Sequence, residues 1–147
     1  DRERLIDISF PGGRGVSAEA VQDAEARLGG SFPPDFVEFL RTTGWAEAYG
    51  SPLFGLGHSD ENYDAVAVTL AERRDGWVPP DAVVVYNDGA GSLSFFRLSE
   101  TAAARGEPVP IYVMVHDEAP EDRIEVEGRS YDDWLEGLYA EDADDDA

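Results

Sequence analysis

The chain has 147 residues, 32 of them acidic and 11 basic, for a formal net charge of −21, and it contains no cysteine. The length suits a single domain. The missing cysteines exclude disulfides and thiolate metal sites, and no apolar run approaches the ~18 residues of a membrane span. Every basic residue is Arg, and a field of this sign repels nucleic acid and anionic membranes while drawing in basic partners. The opening, DRERLIDISF, lacks the apolar centre of a signal peptide, so a cytoplasmic location is expected.

The first elements are two short helices and the joint between them, VSAEAVQDAEARLGGSFPPDFVEFLRTTGW from Val16 to Trp45. Ser17 is placed to cap the first, because its hydroxyl can accept an orphan backbone N–H. Val21, Ala24 and Leu28 follow at i, i+3 and i+7, one apolar stripe. Gly29 and Gly30 end the helix. Pro33 and Pro34 suit the first turn of the second helix, lined by Phe36, Phe39 and Leu40, with Phe32 packing back onto its start. Gly44 stops it.

Tyr49 to Gly57 reads as a short strand broken by Gly and Pro. Ser59 is expected to cap a third helix, with Tyr63, Val66 and Leu70 as its buried stripe and Gly76 at its end. Ala82 to Tyr86 is rich in β-branched residues, as a central strand should be. Asn87 to Gly91 forms a turn, and Ser92 to Leu98 is the antiparallel partner. Glu107 to Val115 supplies an interior strand, and Arg123 to Val126 an edge strand. Ser130 caps a last helix whose stripe is Tyr131, Trp134, Leu135, Leu138 and Tyr139, with Asp132 and Asp133 suiting its positive N-terminus. Helices grouped around a run of strands imply an α+β domain, an antiparallel or mixed sheet covered by N- and C-terminal helices. That domain is expected over residues 1–140, with 141–147, an acid-rich stretch without an apolar anchor, as a disordered tail.

The order of these parts resembles the SUKH superfamily, the Smi/Knr-like domains. The residues that carry the likeness are Glu25, Leu28, Gly29, Phe32, Pro33, Asp35, Phe36, Phe39, Leu40 and Gly44, then Phe54-Gly55, Trp77 before a Pro, the Asp88-Gly89 hairpin turn and the aromatic last helix. Where the family has Asn-Gly after the second helix, this chain has Thr43-Gly44. The resemblance implies a non-enzymatic binding domain. Many bacterial members look like immunity proteins that neutralise polymorphic toxins, often nucleases. Eukaryotic members look like regulatory or scaffold domains, which is the alternative reading here.

Motifs for catalysis are missing. There is no G-x-S-x-G elbow, no Lys for a phosphate loop, no calcium-loop spacing, and Gly55-Leu56-Gly57 lacks the third Gly of a dinucleotide fingerprint. His116, Asp117 and Asp122, with His58, could form a metal site and so a metal-dependent enzyme, but without any ligand motif they read as a solvated loop. No cofactor or metal is therefore expected. Trp45, Tyr49, Phe54 and Trp77 admit two readings, a ligand pocket or core packing. The expected partner is a basic protein toxin. Its expected contacts are Asp60, Glu61 and Asp64 on the outer face of the third helix, Asp88 in the hairpin turn, and Asp117, Glu118, Glu121 and Asp122 in the acidic connection. Residues 117–147 alone carry 14 acids and 2 Arg.

Overall fold

The computed structural model describes residues 12–115 and 123–145, with side chains as far as residue 140. Helix α1 (Ala18–Leu28) starts as expected, with Ser17 accepting the Ala20 N–H at 3.2 Å, and ends at Gly29, whose φ of 100° only glycine adopts freely. Helix α2 (Pro34–Thr42) follows. Three of the family-like letters at this joint prove to be fasteners. Glu25 Oε2 accepts the Phe32 N–H at 2.7 Å and so holds the loop between the helices. Asp35 Oδ1 accepts the Phe36 N–H, and its Oδ2 accepts the N–H of Asp132 in the last helix at 3.1 Å. Phe32 meets Phe36 edge-on at 5.5 Å.

The segment expected as one broken strand, Tyr49 to Gly57, supplies the turn and second strand of a hairpin, whose strands are β1 (Ala46–Ala48), outside that segment, and β2 (Ser51–Leu53). Its two-residue turn, Tyr49-Gly50, has φ of 55° and 78°, the paired positive values of a tight hairpin turn. Glu61–Tyr63 form a 3₁₀ turn, and α3 (Ala65–Arg74) begins later than expected because Asp64, not Ser59, is its cap. Leu70 was expected inside but is 42% exposed. Thr69 takes the buried position, and the reason lies in the sheet. Strand β2 reaches β3 (Ala82–Asn87) only at Leu53↔Tyr86, leaving the first half of β3 unpaired on that side. Thr69 Oγ1 accepts the Val84 N–H at 2.9 Å and Arg73 Nε donates to the Ala82 carbonyl at 3.0 Å, so α3 completes that open edge.

Strand β4 (Ser92–Arg97) pairs antiparallel with β3. A helix that sequence reading missed, α4 (Leu98–Ala104), follows at once. Strands β5 (Ile111–Val115) and β6 (Ile124–Gly128) complete one antiparallel sheet in the order β1-β2-β3-β4-β5-β6, so β3 and β4 are central and β6 is an edge, as expected. The last helix, α5 (Tyr131–Asp145), runs past Ala140 into the stretch expected to be disordered. Helices α1, α2 and α5 pack one sheet face around Phe36, Phe39, Phe96, Tyr131 and Leu135, all buried. The other face gathers Phe54, Val84, Leu93, Phe95 and Met114. Gly55 crosses Gly44 so closely that a Cβ there would sit 1.7 Å from the Gly44 carbonyl oxygen. No described helix is long and apolar enough to cross a membrane.

Candidate functional site

A cleft of about 350 Å³ opens between α5 and the sheet face formed by β3 to β6. Trp134, Leu138 and Val113 supply its apolar walls, while Asp88, Glu127 and Asp133 bring carboxylates to it. The sequence builds each wall locally. The α5 stripe buries Trp134 to 4% exposure, with its ring against Tyr86 at 5.8 Å and Tyr131 at 5.6 Å. Gly128 lies beneath it, where a Cβ would come 2.6 Å from that of Trp134. Glu127 is held in place by two donors, because its Oε1 accepts Trp134 Nε1–H at 2.6 Å and the Ser94 hydroxyl at 2.8 Å. Asp133 Oδ2 accepts the Arg129 N–H at 3.0 Å, and its own N–H donates to Ser130 Oγ, the expected cap of α5.

Asp88 Oδ1 accepts the N–H groups of Ala90 and Ser92 at 2.8 and 3.1 Å, fixing the hairpin turn beside the cleft. Tyr86 lies behind it and donates its hydroxyl to the Ala48 carbonyl at 2.9 Å. Burial pushes the Tyr86 phenol up to about 12, and the charge of Asp88 adds to the effect, so it stays protonated. Preorganised acids set around an apolar floor suit a guanidinium or ammonium carried on an aliphatic stem.

Of the four expected contact residues that are described, Asp60, Glu61, Asp64 and Asp88, only Asp88 lines this cleft. Asp60, Glu61 and Asp64 lie not on the outer face of a helix but in the 3₁₀ turn and its caps. Asp60 Oδ1 accepts the Asn62 N–H at 2.9 Å and Asp64 Oδ1 accepts the Val66 N–H at 2.8 Å. That turn adjoins a ring stack. His58 lies flat on Tyr63 at 4.1 Å, with Trp45 edge-on at 4.3 Å to the imidazole. The Tyr63 hydroxyl donates to Glu47, and this bond lifts its phenol above the usual value. His58 Nδ1 accepts the Asp60 N–H at 2.8 Å.

Residues Asp117, Glu118, Glu121 and Asp122, and His116 with them, lie outside the described residues. Among the described residues no group of three or more His, Asp or Glu is arranged to hold a metal ion. The four aromatics with two readings divide. Phe54 is core at 3% exposure and Trp45 is half-buried, whereas Trp77 is 39% and Tyr49 42% exposed. Tyr49 stands at the hairpin tip and donates its hydroxyl to the Leu138 carbonyl of α5.

Sequence reading missed Glu127 and Asp133 as site residues. Their signal was present only indirectly, in an acid at the end of a strand and an acid in the first turn of the next helix. A family model described as "SMI1 / KNR4 family (SUKH-1)" matches residues 15–137. Comparison with curated proteins finds no match.

Proposed function

The chain belongs to the SMI1/KNR4 (SUKH-1) family, and from that premise we propose that it is an immunity protein, one that neutralises a basic toxin by stoichiometric binding in the cytoplasm. The observation that carries this reading is the acid-lined cleft between α5 and the sheet, in a chain whose formal net charge is −21. The field of the whole molecule speeds the encounter with a basic protein, and salt screens that field over a Debye length of about 8 Å at physiological ionic strength. In the complex, a Lys or Arg of the toxin enters the cleft. Its stem lies along Trp134 and Leu138, and its charge meets Asp88, Glu127 and Asp133. The remaining interface excludes water around that contact and covers the toxin's substrate surface. The chain's own part is binding alone, with no reaction step, cofactor, nucleic acid or membrane assigned to it.

The test is inhibition of the toxin encoded beside this gene, titrated with wild-type protein and with an Asp88→Asn/Glu127→Gln/Asp133→Asn variant. Each amide keeps the oxygen that accepts the local hydrogen bond and removes only the charge. The reading expects one-to-one inhibition by the wild type and a loss of at least about tenfold in affinity for the variant. Equal inhibition by both proteins would remove the cleft from the account. No inhibition by either would remove the immunity function.

A further inference from the structure

The sheet has two edges, and they are not alike. Strand β1 spans only Ala46–Ala48; Gly12 bridges Ala46, and the Gly13 N–H donates to the Trp45 carbonyl at 2.9 Å. Strand β6 is five residues long and, among the described residues, has β5 alone beside it. Its register reveals what its outer side offers. The Val115 N–H donates to the Arg123 carbonyl at 2.8 Å, and Val113 stands opposite Glu125 two residues further on. Antiparallel pairs alternate, so the main-chain groups of Glu125 face β5, while those of Ile124 and Val126 point away from the sheet. The same two residues carry large apolar side chains that stand in water, at 42% and 63% exposure. Glu125 lies on the opposite face, across from Val113, and Glu127 reaches Ser94 and Trp134 at the cleft.

We propose that β6 is a docking edge that takes an extended segment of a protein partner, with apolar and basic residues alternating along it. This rests on the reading of the chain as a partner-binding protein and names how the partner is held. An added antiparallel strand would pair its main chain with Ile124 and Val126. Residues opposite these two share their face and must be apolar. The residue between them falls opposite Glu125 and must be basic, since opposite charges stabilise a cross-strand pair and like charges destabilise it. A second copy of this chain fits poorly, because both copies carry a charge of −21 and the registers centred on Glu125 or Val126 bring a glutamate against Glu125. The acidic face of β6 continues into the cleft through Glu127, so a strand on this edge would lead its basic side chains there.

The experiment uses a blocked peptide, Ser-Val-Arg-Val-Arg-Val-Ser, a scramble of the same composition, and a version with Glu in place of Arg. Binding to the full chain is followed by calorimetry, and backbone protection by amide hydrogen exchange. The alternating Arg peptide should bind and slow exchange at Ile124 and Val126 by about tenfold or more, the other two peptides not. Val126→Pro removes an outward N–H without touching the β5 ladder, and should abolish binding. Ile124→Ser/Val126→Ser leaves the net charge unchanged and should weaken it. Equal binding of the scramble, unchanged exchange, or binding that survives Val126→Pro overturns the proposal, as does self-association of the chain through β6 in sedimentation. A Val126→Pro protein that loses the peptide yet holds the toxin at wild-type affinity also overturns it, while leaving toxin binding intact. A wild-type protein that holds no toxin strikes at the function itself.

Discussion

Replacing Trp134 by Ala tests the packing of α5 and the floor of the cleft together. The side chain is 4% exposed, rests on Tyr86 and Tyr131, covers Gly128 and donates Nε1–H to Glu127. Truncating a buried Trp costs about 3–5 kcal/mol in lost burial and residual cavity. Glu127 is exposed, so water replaces the lost donor and the hydrogen bond adds little. Trp134→Phe separates the two contributions. It keeps an aromatic ring on Tyr86 and Tyr131 and removes the N–H, for an expected cost of about 1–2 kcal/mol. Urea unfolding followed by circular dichroism provides the measurement. At a typical slope of about 2 kcal/mol per molar, Trp134→Ala should move the midpoint down by roughly 2 M, with the slope unchanged. A shift under about 0.5 M would mean that α5 is not docked through this ring, and a Phe variant as damaged as the Ala variant would show that the hydrogen bond, not the packing, dominates.

Gly55→Ala should destabilise the fold by about 3 kcal/mol or more, because the new methyl would strike the Gly44 carbonyl; an unchanged melting temperature would contradict the crossing. Burial raises the Asp35 carboxyl above its ordinary value, against the lowering effect of the Asp132 N–H. The native state therefore holds that proton more tightly than the unfolded chain, and the stability contributed by Asp35 falls as pH rises from about 4 through the raised value. Relative to Asp35→Asn, which never ionises, the wild type should lose ground between about pH 4 and pH 7; urea midpoints at both ends check the sign, and a gap moving the other way refutes it. Truncation after Ala140 removes an acid-rich stretch without a large apolar side chain and should change stability by less than about 0.5 kcal/mol in the same assay.

The parts legible in the sequence were those whose signals are local. Ser17, Gly29, Pro34 and the stripe of α5 announce caps, ends and a buried face within one element. The family-like letters were legible as a pattern, but their physical roles were not. Glu25 holds the Phe32 N–H, Asp35 ties α2 to α5, and Gly55 passes Gly44, all contacts between distant or looped residues. The misread stripe of α3 has the same origin. A polar Thr69 is buried because an unpaired N–H on β3 requires it, and periodicity cannot register that need. Helix α4 escaped notice because LSETAAA continues a strand without a break and offers little apolar rhythm. In the cleft, Asp88 stood out as a turn acid, whereas Glu127 enters only through an irregular register near the end of β6, where Tyr112 pairs with Val126 and Ile111 with Gly128.

This acidic domain is proposed to act by occupying a basic toxin. Calorimetric titration of the toxin from the neighbouring gene into the purified protein, repeated at low and physiological salt with the toxin's activity read in parallel, tests it most directly. One protein should bind per toxin, toxin activity should be lost at that same ratio, and the affinity should fall as salt rises. A toxin that stays active when mixed with excess protein, or one consumed catalytically by far less than one equivalent, would contradict it.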